Sequence, residues 1–442
     1  MRDSVAERSV VTAPAQRILR TFRERLLAGF SWNVLSAVAL QGSVLVSTII
    51  VARLLGLQSF GAYAVLVSTV MTIATIAQSG SGLVATKYVA EFLSADTARV
   101  GRLLGMCRVL TLATGTAAAI LMIALADFIS GDVLHRPELV PQVRLIALAT
   151  LFQVSVAYQF GALQGFGAFR ELSRAGVLAG LGHIFFTTLG AWAGDLEGAT
   201  IGFVAASGFR MGVFARTLKR VCIAHRVEHH ASAEREDFRL ILQFGLPAGL
   251  AGFVTMPCLW FATVLVARLP DGLALAAIFA AAHQVRQAAL QLPMLLNAVS
   301  FSVLSQLRGR NEAEDFRRVF WSNLVINAAF GIAAVVVLIA LSGPLLDLYG
   351  GDFKHGTALL VVLLLSVVPE SVATTLYQIV QSAGRMWYSL FAIVIPRDLI
   401  YVGLTAFLIG RSGVIGAGIA YLVAWTVAIA LILPETRKKI PG

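Results

Sequence analysis

The chain has 442 residues, of which 58% are hydrophobic and only 13% charged, with a mean hydropathy of +0.81. A soluble domain carries roughly 25% charged residues, so this composition excludes a water-soluble globule and predicts an all-α integral membrane protein. The net charge of +11 lies in short clusters between apolar runs, so no nucleic-acid partner is expected; Cys107, Cys222 and Cys258 share neither disulfide nor metal-ligand spacing.

Residues 1–29 read as a cytoplasmic amphipathic segment. Within it, Arg17 to Leu27 alternates basic and apolar residues at helical spacing. That pattern suits an anionic membrane surface, and equally a solvated juxtamembrane helix. The first apolar run has no small-residue cleavage site, so it is read as a retained span. Runs long enough to cross the hydrocarbon core follow at about 30–52, 61–83, 104–126, 143–164, 172–193 and 198–218. A polar linker at 220–239 separates these from a second set at about 240–267, 273–299, 319–341, 356–377, 387–409 and 413–433, and a basic tail, 434–442, closes the chain. Twelve spans put both termini on one side. With that threading, 27 of the 35 Lys and Arg residues fall on the termini's side and six on the other, so both termini are expected to be cytoplasmic.

The second set echoes the first. Val51-Ala52-Arg53-Leu54 returns 215 residues later as Val266-Ala267-Arg268-Leu269. Leu163-Gln164-Gly165 matches Val380-Gln381-Ser382 at an offset of 217, and Gly198-Ala199 matches Gly416-Ala417 at 218. Three matches in order at a near-constant offset predict two six-helix lobes, 30–219 and 240–433. An even number of spans per lobe makes the repeat parallel, with a central cavity between the lobes near the midplane. Arg53 and Arg268 each end the first helix of a lobe on the outer side. A cation there meets exposed carbonyls and the negative dipole end or reaches the headgroups; gating or substrate contact is the functional alternative.

Four stretches stand out: Ala52–Leu66 (ARLLGLQSFGAYAVL), Gly80–Phe92 (GSGLVATKYVAEF), Leu163–Phe169 (LQGFGAF) and Gly413–Ala420 (GVIGAGIA). They resemble, in that order, the first loop, the end of the second helix, the fourth-to-fifth loop and the last helix of the Wzx-type polysaccharide flippases of the multidrug/oligosaccharidyl-lipid/polysaccharide exporter superfamily. The resemblance implies a bacterial inner-membrane protein that moves a polyprenyl-pyrophosphate-linked oligosaccharide outward, without cofactor, coupled to H+ or Na+. It also implies working beside polysaccharide polymerase and chain-length proteins. The chain departs from the family in Met256-Pro257-Cys258-Leu259-Trp260, where polar residues are common, and in lacking a proline near the cytoplasmic end of the eighth span.

A charge at mid-bilayer costs at least roughly 2.5–3.5 kcal/mol, so embedded charges are expected to face a wet cavity or a partner. His283, Gln287 and Gln291 form a stripe on the eighth span with Arg286 beside it, and Pro293 is expected to break the helix below, as Gln78–Gly82 breaks the second span. A cationic, amide-lined stripe suits a pyrophosphate and sugar hydroxyls; a structural ion pair for Arg286 and a neutral, hydrogen-bonded His283 are the alternatives. Glu370 follows Pro369, and Arg397-Asp398 follows Pro396. Depth places Glu370 and Arg397 within about two turns of each other, which predicts an ion pair, or makes Glu370 or Asp398 the coupling-ion carboxylate. Lys87 and Glu91 are an i, i+4 pair at the inner end of the second span.

No P-loop, H-E-x-x-H or G-x-S-x-G motif occurs. A polysaccharide polymerase or ligase would need a substantial outer loop, whereas the outer connections near 127–142 and 342–355 are short. A multidrug exporter of the same superfamily is the nearer rival. It would favour a carboxylate-lined aromatic cavity for apolar cations.

Overall fold

Long apolar runs without water to satisfy their backbone must close their hydrogen bonds within themselves, and helices do this. A computed structural model describes residues 6–93, 96–228, 246–309, 312–383 and 385–439 of the protein, and these contain no strand. In chain order the main helices are α1 (Ala6–Ala77), α2 (Ser81–Phe92), α3 (Thr97–Ala124), α4 (Val140–Gly165), α5 (Phe169–Ala224) and α6 (Leu246–Ala267). They continue with α7 (Gly272–Gly309), α8 (Ala313–Ala340), α9 (Ser342–Asp347), α10 (Thr357–Leu365), α11 (Val367–Ser382) and α12 (Ile395–Lys439). Most of the expected linker and the last three residues of the tail lie outside the described residues.

Among the described residues, eight stretches are long and apolar enough to cross a membrane, and Gly252–Ala267 is a shorter apolar helix. Three of the eight are pairs of expected spans run together across a backbone turn. The turns fall at Gly56 in α1, at Gly194 and Asp195 in α5, and at Gly413 in α12. This accounts for the twelve expected spans without twelve separate helices.

These turns also carry the repeat. Gly56 (φ 70°) and Asp271 (φ 55°) are 215 residues apart, and Asp195 (φ 50°) and Gly413 (φ 56°) are 218 apart. All four have a positive φ, which glycine adopts freely, and Asp195 and Gly413 also share ψ near −140° (−134° and −144°). The offsets seen in sequence are therefore offsets in backbone conformation too. The second span is interrupted as expected, with Ser79 and Gly80 at φ 49° and 71°. Pro293, by contrast, sits inside α7 without ending it.

Packing shows how the halves meet. One core belongs to the N-terminal half alone, around Val84, Leu103, Leu163, Phe214 and Leu218, and another to the C-terminal half alone, around Leu304, Phe316, Phe320 and Ile379. Both lie on the side of the bundle away from Arg53 and Arg268. A third core draws on both halves on the side of those two arginines, joining Val51, Leu66, Met122 and Phe203 to Val266, Ala277, Phe353 and Leu360. There Gly61 is so close to α7 that an added Cβ would fall 1.7 Å from the Leu273 carbonyl oxygen. The lobes thus close at the Arg53 and Arg268 end and part at the other. Lipid-side residues such as Trp192, Val325, Val336 and Phe391 are exposed, the reverse of a soluble surface.

Candidate transport cavity

Where the lobes part, three adjoining cavities of about 740, 470 and 550 Å³ open between them. Gln41 in α1 lines all three. The first two lie mainly against the N-terminal lobe, and the third against the C-terminal lobe.

The C-terminal wall holds two ion pairs. Arg286 on α7 pairs through Nη1 with Glu370 on α11, and the two side chains are 3% and 7% exposed. The Tyr421 hydroxyl donates to the same Glu370 oxygen (3.2 Å), and its ring stands 4.5 Å from the Arg286 guanidinium. One turn of polar contacts away, Arg397 donates to the Asp398 carboxylate (2.7 Å) and to Thr255 Oγ1 on α6 (3.0 Å). Thr255 in turn donates to the other Asp398 oxygen (2.7 Å), and the Arg397 guanidinium lies 4.3 Å over the Trp425 ring. Each positive charge here is matched by a carboxylate. The expected Glu370–Arg397 pair is not the one formed. Helix depth brought those residues to one level, but the direction in which α7 presents Arg286 decides the partner.

The N-terminal wall is different. Arg210 on α5 lines both N-terminal cavities, and its Nε is buried without a hydrogen-bond partner. Its nearest described partner is the Phe214 ring, 5.8 Å away, and no carboxylate among the described residues pairs with it. Around it stand polar side chains without a carboxylate: His183, Gln153, which donates to Ser207 Oγ (3.3 Å), and Gln284. Sequence reasoning missed Arg210 by counting it with the basic linker. The signal was available, since Arg210 falls inside the sixth expected span and α5 stays helical to Ala224.

The eighth-span stripe divides. Gln287 lines the second and third cavities, Gln291 the first and third, and Arg286 the third. His283 lines none of the three; its ring packs against Phe279 (4.4 Å between centroids) and Tyr421 (5.4 Å), with Nε2 unpartnered. Lys87 and Glu91 are exposed on α2, and the Lys87 amino group lies 4.8 Å over the Tyr88 ring. Arg53 and Arg268 are exposed at the closed end of the bundle, each donating to backbone carbonyls of the opposite half.

Residues 26–308 match the family described as "Polysaccharide biosynthesis protein". The chain belongs to that family. This agrees with the flippase resemblance carried by its motifs. EPS I polysaccharide export inner membrane protein EpsE of Ralstonia nicotianae (strain ATCC BAA-1114 / GMI1000) is 24% identical over 384 residues, 86% of this chain and 85% of the relative. The EpsE of Ralstonia solanacearum is 25% identical over 169 residues, 38% of each chain.

Among solved structures, an inward-facing multidrug resistance MATE family transporter of the MOP superfamily superposes with a TM-score of 0.79 at 18% identity, covering 91% of this chain and 94% of that one. An outward-facing MATE family structure gives 0.69 at 18% identity, covering 93% and 96%. The fold of this family member is that of these MOP superfamily structures. The chain is a multi-pass membrane protein with a transporter fold.

Proposed function

We propose that the protein is a flippase that carries a polyprenyl-pyrophosphate-linked oligosaccharide from the inner to the outer leaflet of a bacterial inner membrane, for cell-surface polysaccharide assembly. Both termini are cytoplasmic in this reading, and the chain is a transporter and not an enzyme. The lobes rock about the central cavity, and an H+ or Na+ gradient drives the return.

The observation that carries the reading is Arg210. The C-terminal charges cancel within their own pairs, so the uncompensated charge of the cavity is a guanidinium awaiting an anion. Guanidinium offers paired donors in the geometry that phosphate oxygens accept. Gln41, Gln287 and Gln291 supply neutral donors and acceptors suited to sugar hydroxyls. A cavity evolved for apolar cations would hold free carboxylates, whereas Glu370 and Asp398 are each occupied by an arginine. Those same pairs are the candidates for coupling, because an ion bound at Glu370 or Asp398 must displace an arginine.

The test is made in cells lacking the protein. Polyprenyl-pyrophosphate lipids are extracted, and the membrane face occupied by their glycans is assayed. One lipid-linked oligosaccharide should accumulate on the inner face, relieved by wild type but not by Arg210→Ala protein of equal abundance. Normal glycans on both faces would overturn the reading in favour of the drug exporter, and Glu370 and Asp398 would become the residues to examine.

A further inference from the structure

We propose that Arg53 and Arg268 are reciprocal latches, each holding two consecutive backbone carbonyls of the opposite lobe and together keeping the outer side shut. Arg53, at the end of the first span, donates through Nε to the Leu348 carbonyl (2.6 Å) and through Nη2 to that of Asp347 (3.1 Å). Arg268, at the end of α6, donates through Nε to the Val133 carbonyl (2.7 Å) and through Nη2 to that of Asp132 (2.8 Å). The donors are 215 residues apart, and so are the acceptors: Asp132 and Asp347, Val133 and Leu348. The two contacts are one contact made twice, with the same two guanidinium nitrogens.

The acceptors explain why the contact is made. Asp347 ends α9, and Val133 ends the short helical turn Ile129–Val133. The last carbonyls of a helix have no partner within it; that of Asp347 accepts from the Gly350 N–H (3.1 Å) and keeps its second lone pair for a donor from the other lobe. A guanidinium edge spans two adjacent carbonyls at once, which a lysine ammonium does not do in fixed geometry. The arginines therefore do not finish their own helices; each finishes the other lobe's.

Beside the Arg53 latch lies an aromatic seal. Phe60 of the N-terminal lobe meets Phe353 of the C-terminal lobe at 5.9 Å between centroids, and Phe353 packs tilted against Tyr349 at 5.7 Å. Tyr349 follows directly on a latched carbonyl and is 1% exposed. Any movement that parts the lobes at this end must open the seal and both latches, because all three join one lobe to the other. The latch rests on the two-lobe transporter fold and not on the identity of the cargo.

The experiment uses the full chain with Cys107, Cys222 and Cys258 replaced by serine. Spin labels are placed at Glu197→Cys and Ser412→Cys, exposed positions at the outer turns of α5 and α12. Distances between the labels are measured in lipid without any sugar-lipid present, so failure of the cargo assignment leaves the result readable. Arg53→Ala and Arg268→Ala should each raise the ratio of outward-open to closed molecules roughly tenfold, the effect of losing paired hydrogen bonds from a charged donor. The double variant should raise it roughly a hundredfold, because the latches share no partner. Arg53→Lys and Arg268→Lys should behave like alanine. An unchanged distance distribution in the double variant overturns the latch. So does wild-type behaviour of the lysine variants, since charge alone would then suffice and the role would be headgroup anchoring. If the alanine variants fail to reach the membrane, the lysine variants decide.

Discussion

In the C-terminal lobe each arginine lining the cavity has a carboxylate partner, whereas the N-terminal lobe presents Arg210 with none among the described residues. The repeat makes the contrast sharp. At an offset of 215, Arg286 corresponds to Met71; at 217, Glu370 corresponds to Gln153; at 218, Arg210 corresponds to Ala428. Met71 and Gln153 line the N-terminal cavities, so the N-terminal lobe has uncharged residues at the same positions and one charge of its own elsewhere. What the lobes do share is at the closed rim, where Arg53 and Arg268 make equivalent contacts. The lobes are alike where they meet and differ in the charges they present to the cavity. One holds internally balanced pairs; the other holds a cation with no carboxylate partner among the described residues.

The contrast breaks most visibly if a C-terminal pair is halved. Arg286→Ala leaves Glu370 buried without its counter-charge, and removing one partner of a buried pair costs about 3–5 kcal/mol. The purified variant should unfold at a clearly lower temperature, and joint replacement with Glu370→Gln should recover part of that loss. Equal stability of the single variant and wild type would show that the pair is wet and dispensable.

Arg210→Ala makes the opposite prediction. No partner is orphaned, so thermal stability should hold or rise slightly. Binding of a pyrophosphate headgroup should weaken by an amount typical of a lost charged hydrogen bond, about 1.5–3 kcal/mol, or roughly ten- to hundredfold. Inorganic pyrophosphate protection of the wild type against heat, absent in the variant, would show it. A large loss of stability in Arg210→Ala would mean that the cation is structural after all.

How much of this was legible beforehand follows from the physics of each signal. Hydrophobic runs and their repeat are dense signals, spread over twenty residues at a time. The many-span helical architecture and its two lobes accordingly emerge from sequence, whereas Gly413, read as the start of the last span, proves to be the turn before it. Embedded charges announce themselves by their cost, which is why Arg286, Glu370, Arg397 and Asp398 stood out. Who pairs with whom depends on the rotation of one helix against another, and a one-dimensional depth estimate contains no rotation. Hence Arg286, not Arg397, holds Glu370. His283 turned from the cavity for the same reason: α7 meets α12 at that turn, and the Tyr421 ring takes the imidazole. Arg210 was lost differently, absorbed into a cluster of neighbouring basic residues that begins six residues later at Arg216. The latch shows the limit most plainly. Its arginines were visible as an echo, but their acceptors are backbone atoms nearly 300 and 140 residues away in sequence, at separations of 295 and 135. Backbone acceptors leave no residue-type signature.

Gln153→Glu sharpens the comparison by giving the N-terminal lobe the carboxylate that its counterpart has at Glu370. Gln153 and Arg210 line the same two cavities, and Gln153 already bonds Ser207, one turn from Arg210 on α5. A carboxylate there should neutralise Arg210 and reduce pyrophosphate protection about as much as Arg210→Ala does, while leaving the fold intact. Combined with Arg210→Gln, which removes the charge the carboxylate was meant to cancel, Gln153→Glu should instead destabilise the protein. If Gln153→Glu binds pyrophosphate as wild type does, the two side chains do not share a site.

The smallest effect is expected at Thr255. Its hydroxyl accepts from Arg397 and donates to Asp398, so it completes the second C-terminal pair without carrying charge. Thr255→Val keeps the shape and removes both bonds, yet Arg397 and Asp398 still hold each other at 2.7 Å. Both bonds are to charged groups, a class worth about 1.5–3 kcal/mol each, but the two charges still compensate one another, so the melting temperature should fall less than in Arg286→Ala. The informative readout is the ion dependence of transport. Asp398 loses a donor and α6 loses its tie to α12, so if this pair exchanges its arginine for the driving ion, the ion concentration giving half-maximal transport should fall while Thr255→Val still reaches the wild-type maximum. An unchanged ion dependence would move the coupling role to Glu370, whose carboxylate is held by Arg286 and Tyr421 independently of α6.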